Sequence, residues 1–333
     1  MHSKILAITI ILQLIIIAIL GLRIYNQQHS DHISVNVIPE SSLLFPKNGE
    51  FKYYYEPKPN STQYLDPQWI KDLGYPAGTV VRYKINSDGL NQIPNYTVQK
   101  PKGIYRIITL GDSFTYGQNV NTENNYPSQL EKKLNEDLKC KNISSFQVLN
   151  LGMEGFDISY PIERYKLKGE KYNPDLILWL MLSADLTRVD EMLIPKSKKY
   201  DQQLQDSGEA SKAAQQGIFY QGWEHAQEDI ITQLGGLNNI FQLQKKYFSQ
   251  LNNYYNGPLL IFNFPTQPDF ESVLNDLKNS RKNTYLYLNL TDIYSNHQYY
   301  LKDGHPSAQG YTAIVNDLYN YLTENNIIPC QKP

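Results

Sequence analysis

Apolar runs separated by amphipathic stretches dominate the chain from residue 104 onwards. Several of these runs are apolar on both faces, as buried parallel strands are. Amphipathic stretches of helical periodicity lie between them, for example at residues 126–138 and 308–322. Alternating strands and helices predict an α/β fold in which helices cover both faces of a five-stranded, mainly parallel sheet. The five predicted strands are residues 105–110, 146–151, 175–182, 258–264 and 285–290.

The N-terminal pattern is different. Residues 5–22 are almost wholly apolar, and this length is close to the roughly 20 residues that a helix needs to span a bilayer. No small-residue cleavage site follows, so we expect an uncleaved single-pass transmembrane anchor, with a cleaved signal peptide as the alternative. The short tail before the span favours a cell-membrane protein whose main domain lies outside the cytoplasm.

Two further regions complete the predicted organisation. Residues 23–100 are polar and rich in Pro, Asn and Tyr, and they are expected to form a stalk and a lead-in segment packed on the main domain. The main domain is then residues 101–333, with a long insertion at about 186–257. An insertion of this length forms either a lid or substrate wall, or a packing excursion without a chemical role.

Overall charge and residue spacing exclude some classes of partner. The formal net charge of -2 gives no reason to expect a nucleic acid partner. No cluster has the spacing of metal ligands, so we expect neither a metal nor a cofactor. His225 and His297 lie in polar stretches and are expected to be structural or exposed.

The sequence Gly111-Asp112-Ser113 follows the first predicted strand and precedes a helical segment. A serine at a strand-to-helix turn lies beyond the carboxyl end of the strand, which is the edge where parallel sheets bind ligands. Asp303 and His305 follow the fifth strand and therefore reach the same edge. We expect Ser113 to be a nucleophile, His305 to accept its proton and Asp303 to orient the imidazole, whereas Asp112 braces the turn.

A third element of this site follows the second strand, in the stretch 150–156. The backbone N–H of Gly155 can approach a developing oxyanion closely because glycine has no side chain. The N–H of Ser113, at the start of a helix, is the expected second donor.

Together these motifs resemble the SGNH (GDSL-type) hydrolase family over roughly residues 80–325. The resemblance implies a flavodoxin-like three-layer α/β/α fold and hydrolysis or transfer of O-acyl esters, often on carbohydrates or lipids. The matching pieces are Gly111-Asp112-Ser113, Gly155, the pair Asp303 and His305, the lead-in 86–90, the strand 105–107 and residues 125–127.

The chain departs from the family pattern at two places. Ala184 stands where the family has an asparagine that donates to the oxyanion, and Ser183 is a possible substitute donor. Asp303 and His305 are one residue closer together than the usual spacing. Asp185, next to Ala184, is expected to position the loops around the site rather than to take part in the chemistry.

The two cysteines, Cys140 and Cys330, each follow a predicted helix. In a doubly wound sheet of this kind the two helices run parallel on the same face, so their C-terminal ends are neighbours. This topology predicts a Cys140–Cys330 disulfide, which suits an oxidising exterior.

The sequence therefore favours a serine-dependent esterase or deacylase that acts on a small-molecule or glycan ester through an acyl-serine intermediate. An O-acyltransferase with the same triad is an alternative, because both activities use an acyl-Ser113 intermediate. A non-catalytic ligand-binding domain on the same scaffold is a third possibility, and Ala184 is the residue that favours it.

Overall fold

The computed structural model describes residues 42–46, 49–207 and 222–332. All of them belong to the second of two units into which the chain divides, Val35–Pro333. The predicted anchor at residues 5–22 lies outside the described residues. Within the described part of the chain, no helix has the length and apolar character needed to cross a membrane.

Five parallel strands form the central sheet, in the order β6-β5-β7-β8-β9. This confirms the predicted five-stranded parallel sheet. The observed strands end up to three residues earlier than predicted, because the chain leaves the ladder at their carboxyl ends to form loops. The strands of the described residues are β1 Leu43–Leu44, β2 Glu56–Pro57, β3 Ser61–Tyr64, β4 Arg82–Ile85, β5 Ile104–Leu110, β6 Ser145–Asn150, β7 Leu176–Leu180, β8 Leu259–Phe262 and β9 Thr284–Tyr287.

Helices cover both faces of this sheet. On one face, Leu134 and Leu318 pack in a core with Ile107 and Leu178 of the sheet. On the other face, the ring of Phe248 lies 5.8 Å from that of Trp179. The helices are α1 Pro67–Asp72, α2 Ser113–Tyr116, α3 Tyr126–Asp137, α4 Ser159–Arg164, α5 Ser183–Thr187, α6 Asp190–Ser207, α7 Trp223–Gln233, α8 Leu237–Gln250, α9 Pro268–Asn279 and α10 Ala308–Glu324.

The lead-in segment, residues 49–100, packs on the main domain through aromatic and backbone contacts. The ring of Tyr55 lies 5.4 Å from that of Phe156, in the loop after β6. Helix α1 packs Trp69 and Leu73 against Leu301, just before α10. The carbonyl of Leu73 also accepts a hydrogen bond from the backbone of Lys302 at 3.3 Å. The lead-in segment is thus joined to the loop that carries Asp303 and His305.

The described part of the insertion is helical. Helices α6, α7 and α8 share a small apolar core around Leu193, Ile230 and Ile240. Helix α8 continues onto the sheet through Phe248, which is fully buried. The insertion therefore contributes part of the layer that covers one sheet face.

Side-chain oxygens accept hydrogen bonds from the outward-facing backbone N–H groups of β6, a strand at the edge of the sheet. The backbone N–H groups of Phe146, Val148 and Asn150 point away from β5, and each donates to a side-chain oxygen. The acceptors are Asn135 at 2.9 Å, Glu131 at 2.6 Å and Gln92 at 2.9 Å, respectively. These donors would otherwise be available for another strand to pair with.

A disulfide joins Cys140 and Cys330, whose Cα atoms are 5.1 Å apart. Cys140 follows α3 and Cys330 follows α10, and both helices pack on the same sheet face. The bridge closes a loop across a sequence separation of 190 residues, so it links the end of the chain to the first helical layer.

We expect the double variant Cys140→Ser/Cys330→Ser to unfold more easily by about 2–5 kcal/mol, because a long closed loop restricts the unfolded chain. Urea unfolding followed by circular dichroism measures the difference. A reducing agent should bring the wild type to the level of the variant and leave the variant unchanged. Equal unfolding midpoints for the oxidised wild type and the variant would contradict this expectation.

Candidate active site

The turn between β5 and α2 has a tight backbone that requires glycine. Gly111 has φ +143°, and a Cβ added there would lie 2.3 Å from Thr115 Oγ1 and 2.8 Å from the carbonyl oxygen of Leu180. The Asp112 carboxylate caps α2 by accepting a hydrogen bond from the N–H of Phe114 at 2.9 Å. The turn therefore places Ser113 at the first position of the helix, beyond the carboxyl end of the sheet.

Ser113, His305 and Asp303 lie in one hydrogen-bonded chain. His305 Nε2 is 2.9 Å from Ser113 Oγ, and His305 Nδ1 is 2.9 Å from Asp303 Oδ2. These distances are those of a nucleophile, a base and an orienting acid within hydrogen-bond reach. The geometry has the same order of contacts that acyl-transfer triads use.

A local turn explains how Asp303 and His305 meet at their short spacing. Asp303 Oδ1 accepts a hydrogen bond from the backbone N–H of His305 at 3.2 Å, which folds the chain back on itself. Gly304 between them has φ +86°, a conformation that favours glycine. The carboxylate consequently reaches the imidazole from two residues away.

The two backbone N–H groups that the sequence suggests as oxyanion donors, those of Ser113 and Gly155, have no backbone or side-chain acceptor within the protein's described residues. Gly155 has φ +75°, so a glycine is needed at that position of the loop. Both groups can therefore donate to a ligand oxygen.

The stretch Ser183-Ala184-Asp185 has no side-chain amide donor. Ala184 is exposed in the first turn of α5 and carries only a methyl group. The Ser183 hydroxyl is 3.2 Å from Thr266 Oγ1 and so already has a hydrogen-bond partner. Asp185 is buried and accepts a hydrogen bond from the N–H of Leu182 at 2.9 Å, which shapes this loop.

A buried group of ionisable side chains lies beside Ser113. The Arg188 guanidinium is 3.7 Å from both Asp185 and Asp190. Burial raises the pKa of Asp112, and burial together with the nearby Asp112 raises the pKa of Asp185 well above its usual value. Burial and the neighbouring Asp157 likewise raise the pKa of Asp190. Burial alone would lower the pKa of Arg188, but the surrounding carboxylates outweigh it, so this side chain stays charged.

This charged group also holds two loops of the site together. The backbone N–H of Asp157 donates to the Asp190 carboxylate at 2.7 Å, and the N–H of Asp190 donates to Asp157 at 3.0 Å. Arg188 donates to the carbonyl of Phe156 at 2.6 Å. The loop that contains Gly155 is thus fixed to the start of α6.

Glu154 is a further buried carboxyl close to the site. Burial and the nearby Asp303 raise its pKa to about 8. Its backbone carbonyl accepts a hydrogen bond from the Tyr55 hydroxyl at 2.5 Å. At neutral pH the side chain is therefore mainly protonated, which avoids a second negative charge beside Asp303.

Other candidate residues lie apart from this site. His225 and His297 are exposed. Among the residues that the structure describes, no three His, Cys, Asp or Glu side chains are grouped so that they could hold a metal ion. Sequence reasoning had no signal for Asn119, which donates to Asp303 at 2.5 Å, or for Glu154, because their partner Asp303 is distant in the chain. The partners of Arg188 are close in sequence, but its role follows from the burial of Asp185 and Asp190, which the sequence pattern does not reveal.

Comparisons with known proteins find likeness at the level of structure. No family model matches the chain, and no curated protein matches it. A solved structure of TesA superposes with a TM-score of 0.41 at 12% identity, covering 66% of this chain and 98% of that one. A family 3 carbohydrate esterase from Clostridium thermocellum has a TM-score of 0.36 at 15% identity, and the match covers 67% of this chain and 96% of that one. AlinE4, an SGNH-hydrolase family esterase, has a TM-score of 0.38 at 16% identity, and the match covers 68% of this chain and 98% of that one.

We expect Arg188→Met to destabilise the fold by about 3 kcal/mol, because it leaves buried carboxylates without their counter-charge. Urea unfolding at pH 7 provides the measurement. The matched control is Arg82→Met. The ion pair of Arg82 with Glu123 is exposed and 3.8 Å long, so its loss should lower the free energy of unfolding by less than about 1 kcal/mol. Equal losses for the two variants would show that the buried charges do not depend on Arg188.

Glu154→Gln should change how stability depends on pH. Because folding raises the pKa of Glu154 from 4.5 to about 8, the folded protein keeps a proton that the unfolded chain releases. Wild-type stability should therefore fall as pH rises from about 4.5 to 8, by up to about 1.4 kcal/mol per pH unit from this group.

Melting temperatures of the wild type and Glu154→Gln at several pH values test this expectation. The two should be similar near pH 4.5, and the variant should be the more stable at pH 8. Glu136→Gln, at an exposed position of α3, serves as the control and should follow the wild type at every pH. A constant difference between Glu154→Gln and wild type across this range would rule out the linkage.

Proposed function

We propose that this protein is a serine-dependent esterase or deacylase that cleaves O-acyl esters through an acyl-Ser113 intermediate. The observation that carries the proposal is the continuous chain of contacts from Ser113 through His305 to Asp303, with both links at 2.9 Å. A serine that only caps a helix needs no histidine on its hydroxyl. The triad arrangement makes the hydroxyl a nucleophile.

The reaction follows from these contacts. Ser113 Oγ attacks the ester carbonyl while His305 Nε2 takes its proton, and Asp303 stabilises the resulting imidazolium. The carbonyl oxygen becomes an oxyanion, which accepts hydrogen bonds from the N–H groups of Ser113 and Gly155. When the tetrahedral intermediate collapses, the alcohol leaves with the proton from His305. Water, deprotonated by His305, then attacks the acyl-serine; His305 returns that proton to Ser113 Oγ as the carboxylic acid leaves.

The proposed oxyanion site has two backbone donors and no side-chain amide. Removing a single donor of this kind typically costs about 10²–10³ in rate. Because Ala184 takes the place of the expected asparagine, we propose a slower enzyme than one with three donors. Ser113 can still react fully with reagents for which no amide side chain is needed to stabilise an oxyanion, even if turnover is slow.

The proposed location is the outer side of the cell membrane. The apolar stretch at residues 5–22 would anchor the chain as a single span. The Cys140–Cys330 disulfide supports an oxidising environment for the domain. A small-molecule or glycan ester at the cell surface is the substrate class that fits this placement.

A fluorophosphonate probe should label wild-type protein at Ser113, as detected by peptide mass spectrometry. We expect Ser113→Ala to lose labelling and to lower p-nitrophenyl acetate hydrolysis by about 10³-fold or more, because the nucleophile is gone. His305→Gln should also suppress labelling, since the hydroxyl keeps its proton. Folding of each variant is checked by circular dichroism.

The outcomes separate the candidate functions. Absence of labelling in folded wild-type protein would contradict both enzymatic proposals and favour a binding domain. With labelling established, release of free acetate supports an esterase. Transfer of acetyl from the acyl-serine to an added oligosaccharide, in preference to water, would instead support an O-acyltransferase.

A further inference from the structure

Asn119 lies in the loop that follows α2, outside the motifs that suggested the triad. We propose that Asn119 is a positioning residue, which holds the Asp303 carboxylate in the orientation that His305 requires. This inference rests on the proposed function of the triad. Asn119 is fully buried and has φ +67°, a left-handed conformation that asparagine tolerates better than most residues.

The side-chain amide of Asn119 connects two partners. Its Nδ2 donates to Asp303 Oδ2 at 2.5 Å, and its Oδ1 accepts from the indole Nε1 of Trp69 at 3.0 Å. An indole N–H is only a donor, and a carboxylate without a proton is only an acceptor. The two partners therefore fix which end of the amide faces Asp303.

The backbone of Asn119 is held as firmly as its side chain. Its N–H donates to the Tyr83 hydroxyl at 2.7 Å, and its carbonyl accepts from the Tyr75 hydroxyl at 2.8 Å. Both tyrosines belong to the lead-in segment. The position of the amide is thus set by hydrogen bonds from several directions.

Asn119 binds the same carboxylate oxygen of Asp303 that His305 binds. Asp303 Oδ2 is the atom that accepts from both Asn119 and His305 Nδ1, whereas Oδ1 accepts from the backbone of His305. Asp303 and His305 lie in the same short turn. A rotation of the Asp303 carboxylate would therefore move the oxygen that accepts from His305 Nδ1. A second donor on Oδ2 opposes that rotation, and misplacement of a reacting group by about 1 Å can cost 10²-fold in rate.

The positioning contact extends to the lead-in segment through Trp69. This residue lies on α1 and packs with Leu73 against Leu301, two residues before Asp303. The indole thus supports the acid both through Asn119 and through the chain that leads to it. Trp69→Phe removes the N–H donor while keeping an aromatic ring in the same place.

The experiment compares Asn119→Ala, Trp69→Phe and the control Asn135→Ala in the full-length protein. Asn135 is also a hydrogen-bonding asparagine, but it supports the edge of β6. We expect Asn119→Ala to reduce the rate of fluorophosphonate labelling and kcat for p-nitrophenyl acetate by about 10–100-fold, with KM changed by less than about threefold. Trp69→Phe should lie between Asn119→Ala and wild type. Asn135→Ala should lower the melting temperature without slowing the labelling.

A spectroscopic readout reports the contact without catalysis. The downfield proton of His305 Nδ1 in the NMR spectrum should shift or exchange faster in Asn119→Ala and stay unchanged in Asn135→Ala. If folded Asn119→Ala is labelled at the wild-type rate and its His305 Nδ1 proton signal is unchanged, the inference is wrong. If that variant does not fold, the same result in Trp69→Phe overturns it. Failure of wild-type protein to label defeats the proposed function instead, and the NMR comparison still decides the role of Asn119.

Discussion

The contact between His305 Nε2 and Ser113 Oγ joins residues 192 positions apart, and the rest of the architecture serves to make it possible. Ser113 follows the strand β5 near the centre of the sheet, whereas His305 follows β9 at its edge. Parallel strands place both carboxyl ends at one edge, and the long loop between β9 and α10 brings His305 to Ser113. Gly111 and Gly304 supply the two tight turns that direct the side chains towards each other.

The same edge of the sheet also contains a cluster of buried ionisable side chains. Asp112, Asp185 and Asp190 lie in the interior with one guanidinium, that of Arg188, between them. Burying carboxylates costs several kcal/mol each unless they share a counter-charge or keep a proton. The raised pKa values of these acids indicate that protonation supplies part of the compensation. Stability and local order around Ser113 therefore depend on one arginine and on pH.

The sequence predicted the features that depend on local pattern. The five central strands were recognisable as apolar runs, and Ser113 and His305 stood at the turn positions that follow two of them. Sequence gave no indication of Asn119, because its value depends on Trp69 and Asp303, which are 50 and 184 residues away. The role of Glu154 was equally hidden, since its pKa follows from burial and from a neighbour on another loop.

The side chains along β6 have a consequence for how copies of this domain behave together. Asn135, Glu131 and Gln92 occupy the outward N–H groups of this edge strand, and the Tyr321 hydroxyl donates to the carbonyl of Leu286 in β9, the strand at the opposite edge. Exposed strand edges are the usual starting points for aggregation by strand addition. A neighbouring chain would have to displace these partners before it could pair with β6. Domains crowded on a surface can then meet edge to edge without extending one another's sheets.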